Sequence, residues 1–277
     1  MEKLLEQIVT RDNLNRAYKQ VKRNKGSGGV DGMQVEELLE YLRDNADKIV
    51  GDILRGKYKP NPVLRVEIPK DNGKKRKLGI PTVVDRVIQQ AIAQVLSPIY
   101  EKQFSDKSYG FRPKRKAQDA IEKCQEYVKE GYRYVIDMDF EKYFDSVNQS
   151  KLIQVLSETI KDGRVVGLIH KYLREGVMEK GSLKETTEGV PQGGPLSPLL
   201  SNVMLNELDQ ELENRQHRFV RYADDVMIFT KSKRAAERVY QNILKFIEKK
   251  LFLKVNQEKT KILHISKAKY LGFGFYL

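Results

Sequence analysis

Two short runs of strand-forming residues flank a four-residue turn and predict a β-hairpin with an acidic tip. The runs cover residues 218–221 and 226–229, and the turn between them reads Tyr222-Ala223-Asp224-Asp225. Two adjacent carboxylates at a hairpin tip can point into one small volume, where a hard cation such as Mg²⁺ finds oxygen ligands. Most Asp-Asp pairs lie in solvated turns, so the pair predicts a metal site only if a second acidic segment joins it.

A strand upstream of the hairpin carries that second acidic segment. Residues 132–139 alternate with a period of two, which places Asp137 and Asp139 on one face of the predicted strand. The elements predicted after it are a helix near 197–213, a hairpin over 218–231, a helix near 234–250 and strands through residue 275. This β-α-β-β-α-β order is the split βαβ plan, an antiparallel sheet with helices on one side. Because the first strand and the central hairpin are neighbours in that plan, Asp139 and Asp224 are expected to meet.

Carboxylates from two backbone segments are what two-metal nucleotidyl transfer requires. Two ions about 3.5–4 Å apart clamp the attacking and leaving oxygens of an in-line displacement. Asp139 and Asp224, with Asp225 as a further candidate, are expected to bind two Mg²⁺ ions.

The charge of the chain favours a polyanionic partner. Its 277 residues contain 51 Lys and Arg against 38 Asp and Glu, a formal net charge of +13. Nucleic acid is the first candidate for such a partner, and an anionic membrane surface is the second. No apolar run approaches the roughly 20 residues that a spanning helix needs, which weakens the membrane alternative.

A basic hairpin is predicted near the N-terminal third of the chain. Residues 61–78 read as strand, turn and strand around Asp71-Asn72-Gly73. Its basic side chains are Arg65, Lys70, Lys74, Lys75, Arg76 and Lys77. Lys70 and Arg76 are expected to bind a triphosphate while their neighbours hold template phosphates. The alternative for each of these residues is a generic basic surface.

Helical periodicity predicts where parts of the core lie. Apolar residues recur with helical spacing over 83–100, and Thr82 with Asp85 forms a capping pair at the start of this helix. Cys124 lies on an apolar helical stripe and is expected to be inert core. A single cysteine excludes an internal disulfide and fits a reducing cytoplasm, the predicted location.

An ordered series of motifs resembles the group II intron-encoded reverse transcriptase/maturase family. The motifs are NKGSGGVDGM at 24–33, IPK at 68–70, LGIPTV at 78–83, FSD at 104–106, SYGFRP at 108–113, DFEKYFD at 139–145, GVPQGGPLSP at 189–198, YADD at 222–225 and LGF at 271–273. They cover nearly the whole chain, in order. The resemblance implies an RNA-directed DNA polymerase that also binds intron RNA in splicing and mobility.

The resemblance implies roles for residues around the acidic site. Asp139, Asp224 and Asp225 match the catalytic, metal-binding aspartates, and the backbone carbonyl of Phe140 matches an additional metal ligand. Phe144 matches an aromatic gate that clashes with a 2′-hydroxyl and so favours dNTPs over rNTPs.

Further matches imply contacts with substrates. Residues expected to bind the incoming nucleotide are Lys70, Arg76, Phe144, Gln192 and Gly193; residues expected to bind nucleic acid are Arg65, Lys74, Lys75, Arg112, Tyr222 and Gly272. Tyr222 is expected near the primer terminus, and residues 270–273 are expected to grip the primer strand.

The resemblance also implies an α+β, right-hand polymerase architecture. Fingers are expected over 1–112 and about 148–190, and a palm with a split βαβ sheet over 113–147 and 191–277. The thumb, DNA-binding and endonuclease domains of the family are expected to be absent, with weak processivity and strong salt sensitivity as consequences. The expected partners are an intron RNA template, a DNA primer and dNTPs; no membrane is expected, and a homodimer is left open.

Two other functions are weighed against the polymerase. A maturase that only binds intron RNA would not require the acidic cluster, which is intact here. An RNA-dependent RNA polymerase is disfavoured by Phe144 and by Ala223, where glycine would be expected before the two aspartates.

Overall fold

The computed structural model describes residues 3–69 and 75–275, without the side chain of Arg76. The helices are α1 (Leu4–Ile8), α2 (Arg11–Asn24), α3 (Leu38–Leu54), α4 (Val83–Glu101), α5 (Ala117–Lys129), α6 (Tyr143–Ser146), α7 (Gln149–Thr159), α8 (Gly163–Arg174), α9 (Ser197–Asn214) and α10 (Lys233–Phe246). The strands are β1 (Val63–Pro69), β2 (Lys75–Ile80), β3 (Tyr134–Met138), β4 (Val177–Glu179), β5 (Ser182–Lys184), β6 (Arg218–Tyr222), β7 (Asp225–Thr230), β8 (Lys261–His264), β9 (Lys269–Tyr270) and β10 (Phe273–Gly274). A π-helical turn (Ile247–Leu251) follows α10, and a 3₁₀ turn (Ile265–Lys267) follows β8. None of the helices within the described ranges is both long and apolar enough to cross a membrane.

The chain forms two compact units. The first comprises Met1–Tyr100 and Leu152–Ser197, and the second comprises Glu101–Lys151 and Pro198–Leu277. The predicted boundaries differ in two places. Residues 101–112 fall in the second unit, because the backbone of Tyr109 donates to the Arg221 carbonyl at 2.8 Å. Residues 191–197 fall in the first unit, because Gly79 N–H donates to the Gln192 carbonyl at 2.8 Å.

The first unit contains a four-stranded sheet in the order β2-β1-β4-β5. Strands β1 and β2 form the predicted antiparallel hairpin, with Leu64 opposite Ile80 and Pro69 opposite Lys75. The predicted turn residues 71–73, together with Lys70 and Lys74, lie outside the described residues. Strand β4 pairs with β1 in parallel, and β5 pairs with β4 in antiparallel.

Asp85, at the start of α4, connects several segments of the first unit. The predicted capping pair is present: the Thr82 hydroxyl accepts from Asp85 N–H at 3.2 Å and donates to Asp85 Oδ2 at 2.7 Å. Asp85 also accepts from the hydroxyls of Tyr58 at 2.7 Å and Tyr172 at 3.1 Å, and from the backbone and side chain of Asn61. A fully buried carboxylate with this many donors fixes α4 against the segments before β1 and against α8.

Glu175 lies beside this cluster, at the end of α8, and neither of its buried carboxylate oxygens has a hydrogen-bond partner among the described residues. Burial, together with the charge of Asp85, raises the pKa of Glu175 to about 10. The side chain is therefore protonated at neutral pH.

Arg86, the next residue of α4, holds the glycine-rich loop of the first unit. Its guanidinium donates to the carbonyls of Pro81 at 3.2 Å, Lys25 at 3.3 Å and Ser27. Arg86 is only 8% exposed, so its role is to hold these backbone segments together.

The second unit contains a four-stranded antiparallel sheet in the order β6-β7-β3-β8. The order confirms the predicted split βαβ plan, because β3 lies between the hairpin strand β7 and the late strand β8. Helix α10 packs against β3, β7 and β8, and α5 packs against β6. Cys124 on α5 is buried in a cluster with Val135, Val220 and Phe229, and burial raises the pKa of its thiol to about 12. The sequence-based prediction that Cys124 is inert core is confirmed.

Candidate active site

Asp139 follows the last residue of β3 and is held by the segment before β8. Its carbonyl accepts from Asn256 N–H at 2.8 Å, and its N–H donates to Thr260 Oγ1 at 3.1 Å. The backbone of Asp139 is therefore fixed on one side by residues 256–260, and its side chain remains partly exposed.

Phe140 is positioned so that its carbonyl faces the hairpin edge of the sheet. Phe140 and Val255 form an isolated antiparallel bridge, in which the hydrogen bonds are made by their neighbours: Asn256 N–H to Asp139 O, and Glu141 N–H to Lys254 O at 2.8 Å. In such a pair, the amide and carbonyl of the central residue point away from its partner. The Phe140 carbonyl consequently points to the edge on which β7 pairs with β3, which fits its predicted role.

The hairpin of β6 and β7 brings its acidic tip to the end of β3. Tyr222 pairs with Asp225 across the hairpin, and Val226 pairs with Met138, the last residue of β3. Asp139 and Asp225 are therefore each one residue away from the Met138–Val226 pair, and Asp224 is two residues away from it. The predicted meeting of the two acidic segments follows from this register.

Burial and repulsion between carboxylates raise the pKa of two groups in these segments. Partial desolvation and the charges of Asp224, Asp137 and Asp139 raise the pKa of Asp225 to about 6, while Lys259 lowers it. Desolvation and the charge of Asp139 also raise the pKa of Asp137. A divalent cation would relieve this repulsion, as expected for a metal site.

A lysine ammonium contacts the cluster. Lys259 Nζ lies 3.4 Å from Asp139 Oδ2, and the two side chains are 61% and 36% exposed. Within residues 3–69 and 75–275, no three His, Cys, Asp or Glu side chains are grouped as a metal site in their present rotamers. The donors at this site are all oxygens, and Asp139 already attracts the ammonium of Lys259. Both features fit a Mg²⁺ site. The carboxylates must change rotamer to hold the ion.

Phe144 lies on the short helix α6, next to these residues in sequence. Its ring is half-buried and packs edge-on against Tyr143, with ring centroids 5.3 Å apart. The Tyr143 hydroxyl in turn donates to the carbonyl of Ser201 at 3.0 Å. Tyr143 therefore anchors the segment that carries the predicted gate.

Gln192 and Gly193 belong to a loop of the first unit that packs closely against β2. A Cβ on Gly193 would lie 2.5 Å from the carbonyl oxygen of Gly79, and Gly193 has φ +131°. Only glycine fits this close approach. Gly193 is exposed, which is compatible with its predicted nucleotide contact.

The basic hairpin is only partly described. Lys70, Lys74 and the side chain of Arg76 lie outside the described residues. Lys75 is exposed and forms an ion pair with Glu67 at 2.8 Å, while Arg65 is half-buried on β1. A surface pair of this kind is weak, so Lys75 remains able to contact a phosphate.

The structure contradicts the prediction that Arg112 binds nucleic acid. Its side chain is 3% exposed and forms a bidentate ion pair with Glu101, with distances from 2.9 to 3.2 Å. Its remaining terminal nitrogen donates to the carbonyls of Ser105 and Ser108. Every nitrogen of the guanidinium donates a hydrogen bond within the protein, so Arg112 stabilises the loop that contains Ser105 and Ser108.

The predicted primer-contacting residues lie close to the hairpin. Tyr222 is half-buried against the Cys124 cluster. Tyr270 donates from its hydroxyl to the Asp225 carbonyl at 3.1 Å, which connects residues 270–273 to the acidic tip. Gly272 is exposed with φ +86°. The roles of Tyr222 and Gly272 in primer binding stay predictions.

Sequence reasoning missed several residues that hold the site: Asn202, Asp209, Arg221, Lys259 and Thr260. One signal was available, because Asn202 and Asp209 are seven residues apart on α9 and therefore share a helical face. The partner of Asp209 is Arg221, whose side chain is fully buried.

Comparison with known proteins identifies relatives of the whole chain. The profile of the family described as "Reverse transcriptase (RNA-dependent DNA polymerase)" matches residues 68–275. Protein YkfC of Escherichia coli is 34% identical and covers 96% of this chain and 80% of its own length. The group II intron-encoded protein LtrA of Lactococcus lactis is 31% identical over 93% of this chain. The chain spans about half of LtrA, 54% of its length.

Solved structures share the fold at low sequence identity. A telomerase from Candida tropicalis has a TM-score of 0.61 at 14% identity, covering 84% of this chain and 46% of its own. A partial Cas6-RT-Cas1–Cas2 complex has a TM-score of 0.54 at 23% identity, covering 89% and 43%. These likenesses confirm the α+β fold predicted for the chain. With a family profile that matches most of its length, the chain belongs to the reverse transcriptase family of RNA-dependent DNA polymerases, as its ordered motifs predicted.

Proposed function

We propose that this chain is the RNA-directed DNA polymerase core of a group II intron-encoded protein. It adds dNTPs to the 3′-hydroxyl of a DNA primer annealed to an RNA template. The observation that carries the proposal is the convergence of Asp139 with Asp224 and Asp225 at one end of the β6-β7-β3-β8 sheet. The likeness to LtrA supports the connection to an intron.

Asp139, Asp224, Asp225 and the carbonyl of Phe140 are the groups that would hold two Mg²⁺ ions. Bound Mg²⁺ would activate the primer 3′-hydroxyl and stabilise the pyrophosphate leaving group. Residues 256–260 orient Asp139 by fixing its backbone, and Tyr270 orients the hairpin by binding the Asp225 carbonyl. Positioning of this kind supplies much of the rate enhancement in phosphoryl transfer.

Nucleotide selection is assigned to Phe144, Gln192 and Gly193. Phe144 would exclude a 2′-hydroxyl, and the tightly packed loop at Gln192 and Gly193 would contact the incoming nucleotide through its backbone. In this proposal, Phe144→Ala allows the incorporation of rNTPs. If the preference for dNTPs over rNTPs in single-nucleotide incorporation is unchanged in this variant, Phe144 is not the gate.

Binding of intron RNA, in a cytoplasmic ribonucleoprotein, is the second part of the proposal. The formal net charge of +13 supports a polyanionic partner, and exposed basic residues such as Lys75 are suited to phosphates. This role does not depend on the carboxylates, so it can be measured separately from polymerisation.

Primer extension on an RNA template, with Mg²⁺ and dNTPs, tests the proposal. Asp224→Asn should abolish extension while leaving RNA affinity near that of the unchanged chain. Asp137→Asn is the matched control, because Asp137 lies on the same strand as the acidic site but carries no proposed ligand role; it should retain extension within about tenfold. Extension that survives in Asp224→Asn would contradict the polymerase assignment. RNA binding without any extension by the unchanged chain would favour the RNA-binding function alone.

A further inference from the structure

The turn that carries the two aspartates is strained. Strands β6 and β7 are joined by only two residues, Ala223 and Asp224, since Tyr222 pairs directly with Asp225. Ala223 has φ +56° and is 7% exposed. A left-handed conformation at a residue with a Cβ persists only where the surroundings enforce it. Something in the second unit must therefore hold Ala223.

Arg221 provides one of these constraints. Its Nη1 donates to the Ala223 carbonyl at 2.8 Å and to Asn202 Oδ1 at 2.9 Å. Its Nε and Nη2 form a bidentate pair with Asp209, with distances between 2.5 and 3.0 Å. Arg221 and Asp209 are both fully buried. The planar guanidinium thus connects α9 to the carbonyl of the residue immediately before Asp224.

A loop that packs against the turn provides the other constraint. Asn202 Nδ2 donates to the Gly110 carbonyl at 2.9 Å, so Asn202 bridges Arg221 and this loop. A Cβ on Gly110 would lie 2.2 Å from the Ala223 nitrogen, which leaves no room for any other residue. The same loop is hydrogen-bonded to the backbone of Arg221 on both sides, through Lys107 O and Tyr109 N.

The buried ion pair is poorly explained as a source of stability alone. Removing two charges from water is unfavourable, and well-packed apolar residues often stabilise such a position as well or better. A guanidinium provides what apolar residues cannot, namely directed hydrogen bonds to a backbone carbonyl and to a neighbouring amide. Those bonds end at Ala223 and Asn202, the residues that determine where the turn lies.

We propose that Arg221, supported by Asp209 and Asn202, is a positioning residue that fixes the Ala223 turn so that Asp224 and Asp225 can bind metal ions. The proposal rests on the proposed function in assigning these aspartates to a metal site. It predicts that loosening the turn weakens metal binding by the free protein, before any substrate is present.

Binding of Mn²⁺ to the nucleic-acid-free protein, followed by electron paramagnetic resonance, tests the proposal. Arg221→Lys keeps a positive charge for Asp209 but loses the fork that reaches Ala223 and Asn202 together. Gly110→Ala leaves the ion pair intact and displaces the turn by a steric clash. Both variants should bind Mn²⁺ about tenfold more weakly. This is the effect expected from losing one charge-assisted hydrogen bond, here the bond from Arg221 to the Ala223 carbonyl. The Mg²⁺ concentration for half-maximal primer extension should rise in parallel.

Arg86→Lys is the control, since Arg86 is a buried arginine of the first unit that also donates to backbone carbonyls. It should lower the denaturation midpoint and leave Mn²⁺ affinity unchanged. If folded Arg221→Lys and Gly110→Ala proteins bind Mn²⁺ as tightly as the unchanged chain, the proposal is overturned; if Arg221→Lys does not fold, Gly110→Ala decides. Absence of Mn²⁺ binding by the unchanged chain would also overturn it. Weakened Mn²⁺ binding in a protein that never extends primers would support the positioning role and contradict only the polymerase function.

Discussion

At the residue scale, Glu175 makes the stability of the protein depend on pH. Its pKa is near 10 when folded, against an ordinary value of 4.5, so the folded chain retains a proton that the unfolded chain loses above about pH 4.5. Rising pH therefore favours unfolding across this window. Glu175→Gln removes the effect and should stabilise the protein by at least about 1 kcal/mol at pH 9, with little gain at pH 4.5.

Urea denaturation at pH 4.5, 7 and 9 measures this difference. Glu185→Gln, which alters an exposed carboxylate of the same unit, is the control. A gain from Glu175→Gln that is equal at all three values would mean that the ionisation of Glu175 has no part in it.

Lys259 is a second residue with a measurable electrostatic role. Its ammonium is the cation in contact with Asp139, where a metal ion is proposed to bind. Lys259→Met should therefore tighten Mn²⁺ binding to the free protein, by no more than about fivefold because exposed ion pairs are weak. Lys267→Met removes the same charge from an exposed site on the 3₁₀ turn and is the control. Equal effects of the two variants would show that net charge alone is responsible.

Single residues also show where sequence reasoning fails. Arg112 lies within a family motif and Arg65 lies on the basic hairpin, and the structure buries the first in an ion pair and leaves the second half-exposed. Arg221 precedes the acidic turn, but the sequence does not indicate its role, because its partner Asp209 lies on a helix whose packing the sequence does not reveal. Which cations face solvent is decided by tertiary packing, and no local pattern encodes that.

At the element scale, the loop of Gln192 and Gly193 is fitted to strand β2. Gly193→Ala would place a Cβ 2.5 Å from the Gly79 carbonyl, so the loop must move. We expect a loss of about 2 kcal/mol in stability and an increased KM for dNTPs. Gly181→Ala, at φ +79°, adds a Cβ that has no described atom within 4 Å apart from those of its chain neighbours; it should cost about 1 kcal/mol and leave KM unchanged. If Gly193→Ala lowers stability without changing KM, the loop of Gln192 and Gly193 does not contact the nucleotide.

Elements with strong periodicity were the ones predicted well. The apolar spacing over 83–100 corresponds to α4 (Val83–Glu101), and the alternation over 132–139 corresponds to β3 (Tyr134–Met138). The capping pair Thr82 and Asp85 was also found, because it is local. The tyrosines that bind Asp85 come from distant segments, and the π-helical turn after α10 has no pattern that would distinguish it from a continued helix.

At the scale of the whole molecule, the site depends on topology. Asp139 and Asp224 are far apart in sequence and come together only because β7 pairs with β3 in one particular register. A shift of one residue in that register would turn the side chains to the opposite face of the sheet. The predicted strand order is confirmed, and residues 101–112, predicted as part of the fingers, lie in the same compact unit as the hairpin, to which they are hydrogen-bonded.

The most direct test of whether Asp139 and Asp224 form one catalytic site is a double-mutant cycle of Asp139→Asn and Asp224→Asn. The quantity to measure is the rate of first-nucleotide incorporation. Residues that act as one catalytic unit lose activity non-additively. We predict that each single variant loses at least about a thousandfold in rate and that the double variant loses no more than the worse single variant. Modest losses that multiply in the double variant would contradict the account, because they would mean that the two aspartates act independently and do not form one site.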